Sequence, residues 1–186
     1  MDYADAAIAA LVTALEAAVT AIGSPVAGNV DVTDAWPDFQ GMTPGDRAYV
    51  VVSMGEPSAE PLSPVLHDFE DGIALYRTHD WTAAVQVTVF AWYKDTASAL
   101  AAALAPYLSQ VPFDAGITLT STDYHDDRVR FLVDGGAAWS PAAALQGVWM
   151  RALTITAKGH IIAPKATPAL LRLDGEINDR AVAFTS

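Results

Sequence analysis

Histidine followed by aspartate is the pair in this sequence best equipped for chemistry. It occurs three times, as His67-Asp68, His79-Asp80 and His125-Asp126. An imidazole titrates near neutral pH and binds metals through a ring nitrogen, and a carboxylate adds a hard oxygen ligand or a proton acceptor. Such pairs suit a small metal-dependent hydrolase. Metal-dependent His-Asp hydrolases, however, present their pairs from a helical bundle, and this chain has only two good helical segments. Two of the three pairs flank strand-like runs and the third lies in an acidic, proline-rich stretch, so solvated loop ends are the simpler reading.

Other chemistries fare no better. The runs "HDFEDG" (67–72) and "DYHDD" (123–127) carry oxygen ligands of the kind calcium prefers, but neither has the spacing of a calcium loop with its distal bidentate Glu. No Gly-x-Ser-x-Gly elbow occurs. The "DGG" at Asp134–Gly136 lacks the further glycines and the lysine of a phosphate-binding loop. Trp36, Trp81, Trp92, Trp139 and Trp149 have the faces to stack a sugar or base, yet without basic neighbours they read as core and interface packing. With no cysteine, thiolate zinc sites, disulfides and cysteine nucleophiles are excluded together. The sequence reads as no enzyme, with no catalytic residue, no metal site and no cofactor.

Stepping along the chain, Ile8, Leu11, Val12, Leu15, Val19 and Ile22 recur at helical spacing, and Gly23, Ser24 and Pro25 stop that helix. Asp2 and Asp5 at its start, with Glu16 inside it, argue against a signal peptide or a membrane span. The segment 26–45 reads as irregular, with one short strand near Val30–Val32. "DRAYVVVSM" (46–54) reads as a buried strand. "GEPSAEPLSPVLHDFEDG" (55–72) reads as an exposed acidic loop. "WTAAVQVTVFAW" (81–92) is a strand placing Val85, Val87, Val89 and Ala91 on one face, with Gln86, Thr88 and Phe90 on the other. Asp95 or Thr96 is a natural cap for the helix carrying Leu100, Leu104 and Leu108, which Pro106 disturbs and Pro112 ends. A hairpin follows ("GITLTSTDY", "DRVRFLVDG"), and "VWMRALTITAKG" makes a last long strand.

The fold class expected is α+β. A mixed, largely antiparallel β-sheet carries two main helices packed on it, as one ring-assembling domain over residues 1–158. A C-terminal extension, 159–186, reads as an appendage. At 186 residues one domain with a sizeable core is the natural division. Charge shifts near that boundary, since Lys158, Lys165, Arg172 and Arg180 put four of the ten basic residues into the last 29 positions with only three of the 22 acids. The net charge of −12 makes nucleic-acid gripping a poor fit, because phosphate binding needs clustered Lys and Arg.

The order of elements resembles the tail terminator (tail completion) proteins of long-tailed bacteriophages, the family typified by the lambda-type minor tail protein U. The resemblance runs from Tyr3 to Gly159. It rests on the N-terminal helix, the "YVVV" strand, the acidic loop, the "VQVTVFAW" strand with Trp81 before it, the helix exit "APYLSQVP" with Pro106, Ser109 and Pro112, the hairpin, and the closing "WMRALTITA" strand. The extension and the longer acidic loop depart from the family's pattern.

The resemblance implies a virion protein of the phage tail or neck, assembled in the host bacterial cytoplasm, that forms a homo-hexameric ring. Such a ring caps the tail tube, ends tail polymerisation and offers a joining surface to the head, with DNA passing through its lumen. Its partners would be its own copies, the tail tube protein and a head-completion, neck or portal-side protein, with no membrane. A head-completion or neck adaptor ring contacting the portal is the alternative. Asp68, Glu70, Asp71, Asp95, Arg172 and Arg180 are the interface positions expected. An Ala-rich helix and a strand with two partly apolar faces also suit a chain that buries surface against copies of itself.

Overall fold

The computed structural model describes residues 3–23, 30–38, 45, 47–70, 73–108, 117–118, 128–132 and 138–165. Helix α1 (Tyr3–Ile22) is followed by strands β1 (Val30–Thr33), β2 (Ala48–Met54), β3 (Ser58–Glu70) and β4 (Ile73–Ala91). Helix α2 (Lys94–Leu108) precedes β5 (Ile117–Thr118), β6 (Arg128–Leu132), β7 (Ala143–Leu145) and β8 (Val148–Lys165). The result is the α+β domain expected: a mixed, mostly antiparallel, curled sheet with two helices among the described residues. Only β1 and β2 pair in parallel there.

Its spine is the antiparallel pair β4·β8, in register from Ala74↔Lys165 to Ala91↔Trp149. The other edge of β4 is shared. β2 takes Val85–Ala91, and β3 takes Ile73–Thr82. On the far edge of β8, β7 pairs with Val148–Met150 and β6 with Thr156–Lys158. The connection from β7 to β8 is a two-residue turn in which Gln146 (φ 50) and Gly147 (φ 85) both take left-handed backbone, the conformation that matches strand twist in a tight hairpin.

Alternation sorts the faces. Val50, Val52, Val85, Val87, Val89, Leu153 and Ile155 point to one side, where Leu11 and Leu15 of α1 and Leu100, Leu104 and Leu108 of α2 close over them. Each of these five leucines has at most 1% of its surface exposed, and burial of one such side chain contributes about 1.5–3 kcal/mol. On the opposite face a small second cluster forms at one end, from Tyr49, Val51, Phe90 and Val148. Between that cluster and the arm, Thr82, Ala84, Gln86 and Thr154 on this face are exposed. That face is therefore covered only in part.

Two readings need correction. Within the stretch read as a loop, Ser58–Glu70 is the strand β3, hydrogen-bonded along β4. Its prolines, Pro61 and Pro64, are tolerated because β3 lies at an edge and slips register between Pro61 and Val65, where missing N–H groups cost least. Nor does the last strand stop at Gly159. It continues to Lys165, with Ile162 buried and Ile161 packed on the main core, so the 158/159 boundary falls inside β8. Glycine weakens a strand but does not end one that a partner pairs on its edge.

Helix α2 begins at Lys94, one residue before the expected cap, so Asp95 sits in its first turn, where the helix dipole favours an acid. The Lys94 ammonium lies 5.5 Å from the Trp149 ring centroid and ties the helix start to the start of β8. Pro106 falls in the last turn, as anticipated.

Candidate functional site

Besides the exposed Arg47–Asp31 pair between β1 and β2, a group of charged side chains lies on the arm, the part of β3, β4 and β8 that runs on past Trp81, the first β4 residue of the main core. Asp80 is the centre. Its register partners are Glu60 on β3 and His160 on β8, so all three stand in one cross-strand row. Arg77 reaches Asp80 from the same strand, with Nε at 2.8 Å from Oδ1 and Nη2 at 2.6 and 2.7 Å from Oδ1 and Oδ2. Residues three apart on a regular strand point to opposite faces. Here a bulge at Thr78, between the pairs Arg77↔Ile162 and His79↔Ile161, brings Arg77 round to Asp80. From the other flank, His160 Nδ1 lies 2.8 Å from Asp80 Oδ1.

The Thr78 hydroxyl donates to the Ile161 carbonyl at 3.1 Å and also lies 3.1 Å from His79 Nδ1. This is a clasp of one carboxylate between two basic side chains, with about a third of each side chain exposed for Arg77 (34%) and Asp80 (37%). Arg77 takes both oxygens of Asp80, in the fork geometry that fits a guanidinium to a carboxylate.

Hydrogen bonding from Arg77, with a smaller contribution from His160, holds the Asp80 carboxyl below its ordinary value of 3.8, against a desolvation effect that raises it. A depressed carboxylate stabilises the fold above the unfolded pKa, and that contribution is lost as pH falls through the folded one. The Asp80 carboxylate is therefore charged at neutral pH, and the Arg77 grip on it is lost only in acid, below the ordinary range of an aspartate. An NMR titration of the Asp80 carboxyl carbon should give a midpoint below 3.8 that Arg77→Gln moves upward. A midpoint at the ordinary value in both proteins would contradict the geometry.

The His79-Asp80 pair thus dissolves as a unit. His79 contacts its neighbour Thr78 while Asp80 serves Arg77 and His160. His67 and Asp68 lie on β3, where the backbone slips register between Leu66 and Asp68. His125 and Asp126 lie outside the described residues. No group of three or more His, Asp or Glu side chains able to hold a metal occurs among the described residues.

Of the interface positions, Asp68 pairs in register with Leu75 and Glu70 with Ile73, at the far end of the β3–β4 hairpin. Asp95 is exposed beyond the opposite end of β4. From Ile73 to Ala91 is 19 residues, or roughly 60 Å of strand, so the hairpin acids and Asp95 do not form one patch. Asp71, Arg172 and Arg180 lie outside the described residues. The sequence does not single out His160, because Gly159 reads as the end of the last strand. The alternation of Leu153, Ile155 and Ala157, carried on through 159 and 161, is the signal that places it on a strand.

No protein-family model matches the chain, and no curated protein matches it in sequence.

Proposed function

We propose that this chain is a structural component of a phage tail: a ring, hexameric in the family it resembles, that caps the tail tube, ends its growth and presents a joining surface to the head. One observation carries the reading. β3, β4 and β8 extend beyond the main core as a three-stranded arm whose outer strand exposes Ser58–Pro61, Ser63, Pro64 and Leu66. A strand pair whose outer edge has no partner among the described residues is a means of engaging the next subunit, and identical contacts of that kind close into a ring when their rotation allows.

The element order from Tyr3 to Gly159 supports the same reading, and so does the acidic chain, which would leave passing DNA little to hold. The partners are further copies of the chain, the tail tube protein and a protein on the head side, and the protein acts in the virion without catalysis. Light scattering after size exclusion, with negative-stain images of the main peak and a tail-tube binding assay, tests this. Rings near six copies, or capture by tail tubes, are the expected results. A monomer that ignores tail tubes overturns the proposal, and a ring that binds a portal instead makes it a neck adaptor.

A further inference from the structure

β3 slips against β4 at two levels, between Pro61 and Val65 and between Leu66 and Asp68, and only at the first does β4 also slip against β8. Between the pairs Pro61↔His79 and Val65↔Arg77, β3 carries Leu62, Ser63 and Pro64 opposite the single residue Thr78 of β4. At the same level β4 slips against β8, with Thr78 between Arg77↔Ile162 and His79↔Ile161. Two of the three strands therefore lose register side by side, and β8 alone crosses the level unbroken. Bulges bend and twist strands locally, and a line of them across a narrow sheet concentrates the bending there.

The packing divides at the same place. The main core reaches Trp81 on β4 and Ile161 on β8 and includes nothing of β4 before Trp81. Beyond the break, Ala74, Leu75 and Ile162 are buried but belong to neither core cluster. The polar contacts cross the break rather than staying on one side of it. Arg77, distal, grips Asp80, proximal, and Thr78 itself donates to Ile161.

We infer that Thr78 marks a hinge, about which the distal strands (65–70 and 73–77, with the end of β8) move together, and that Arg77, Asp80 and His160 form the clasp that holds them at one angle. Hinges of this kind are a few residues that absorb the backbone change while packed units on either side stay rigid. The hinge does not depend on the ring reading, although in a ring it would set where the acidic hairpin end meets a neighbour.

Arg77→Gln removes the grip without touching either core. Amide exchange in 65–70, 73–77 and 162–165 should then accelerate about three- to fivefold, the scale of one well-formed exposed ion pair, while 83–91 and 148–157 keep the parent rates. Asp80→Asn should act alike, and the double variant should add little, since both remove one interaction. Because the chain has no cysteine, spin labels at Leu66→Cys on the arm and Ala17→Cys on α1 report the angle directly. One narrow distance distribution in the parent, broadened or shifted by Arg77→Gln, is the expected result. Unchanged exchange in the distal segment, acceleration spread equally through the body, or an unaltered distance distribution would overturn the hinge.

Discussion

Phe90→Ala should destabilise the protein by about 3–5 kcal/mol, the cost of removing a large aromatic from a site that cannot collapse. Phe90 has no exposed surface and is the largest fully buried side chain among the described residues. It lies on the face away from the helices, with Tyr49, Val51 and Val148 around it and the Trp36 ring edge-on at a centroid distance of 5.2 Å. Three strands meet there, since Phe90 pairs with Tyr49 on β2 and with Met150 on β8. Truncation opens a cavity at that junction and removes an aromatic pair worth about 0.5–1.5 kcal/mol. Trp36→Ala is the control. Trp36 is 57% exposed, so its loss should cost less than about 1.5 kcal/mol. Urea unfolding followed by circular dichroism distinguishes the two by midpoint at unchanged slope. Equal shifts would mean that the second cluster is surface and not core.

The sites of these two aromatics show what could be read from the chain and what could not. Val85, Val87, Val89 and Ala91 announce a covered face by alternation alone, and α1 and α2 announce themselves by helical spacing, so the helix-covered half was legible. Phe90 and Thr88 stand on the other face, and alternation says only that the face is mixed. It does not say that Tyr49 and Val148 arrive to bury Phe90. β3 was illegible for a related reason. Prolines, serines and acids read locally as loop, and only the edge offered by β4 makes a strand of them, so tertiary pairing overrides propensity.

The charged cluster was hidden more deeply. Arg77 and Asp80 become neighbours through a bulge, and no spacing rule predicts a register slip at Thr78. His160 arrives from 80 residues away along β8 and is concealed because Gly159 reads as an end. The adjacency of His79 and Asp80 drew attention for the wrong reason: on a strand, consecutive side chains face opposite ways, so neighbours in sequence are poor partners in chemistry.

Helix α1 poses a sharper question, which a pair of substitutions answers. By length and composition Ala4–Ile22 could cross a membrane, the only described helix that could. Its burial in the fold is one-sided: Ala7, Leu11 and Leu15 have no exposed surface, while Ala9, Thr13, Glu16, Ala17 and Thr20 are exposed. A helix that docks on a sheet is sensitive on one face alone, whereas a span in lipid tolerates small apolar exchanges all round. Leu11→Ala should therefore cost about 2–5 kcal/mol, a large share of the 5–15 kcal/mol typical of a whole domain. Ala17→Gln, on the opposite face, should cost only a few tenths of a kcal/mol, the difference in helix propensity. Urea midpoints measured without detergent give both numbers. A large, matching loss at both positions would mean that the outer face of α1 is also covered, which is what a tight ring contact there would produce, and two negligible losses would mean that α1 does not anchor to the sheet in solution.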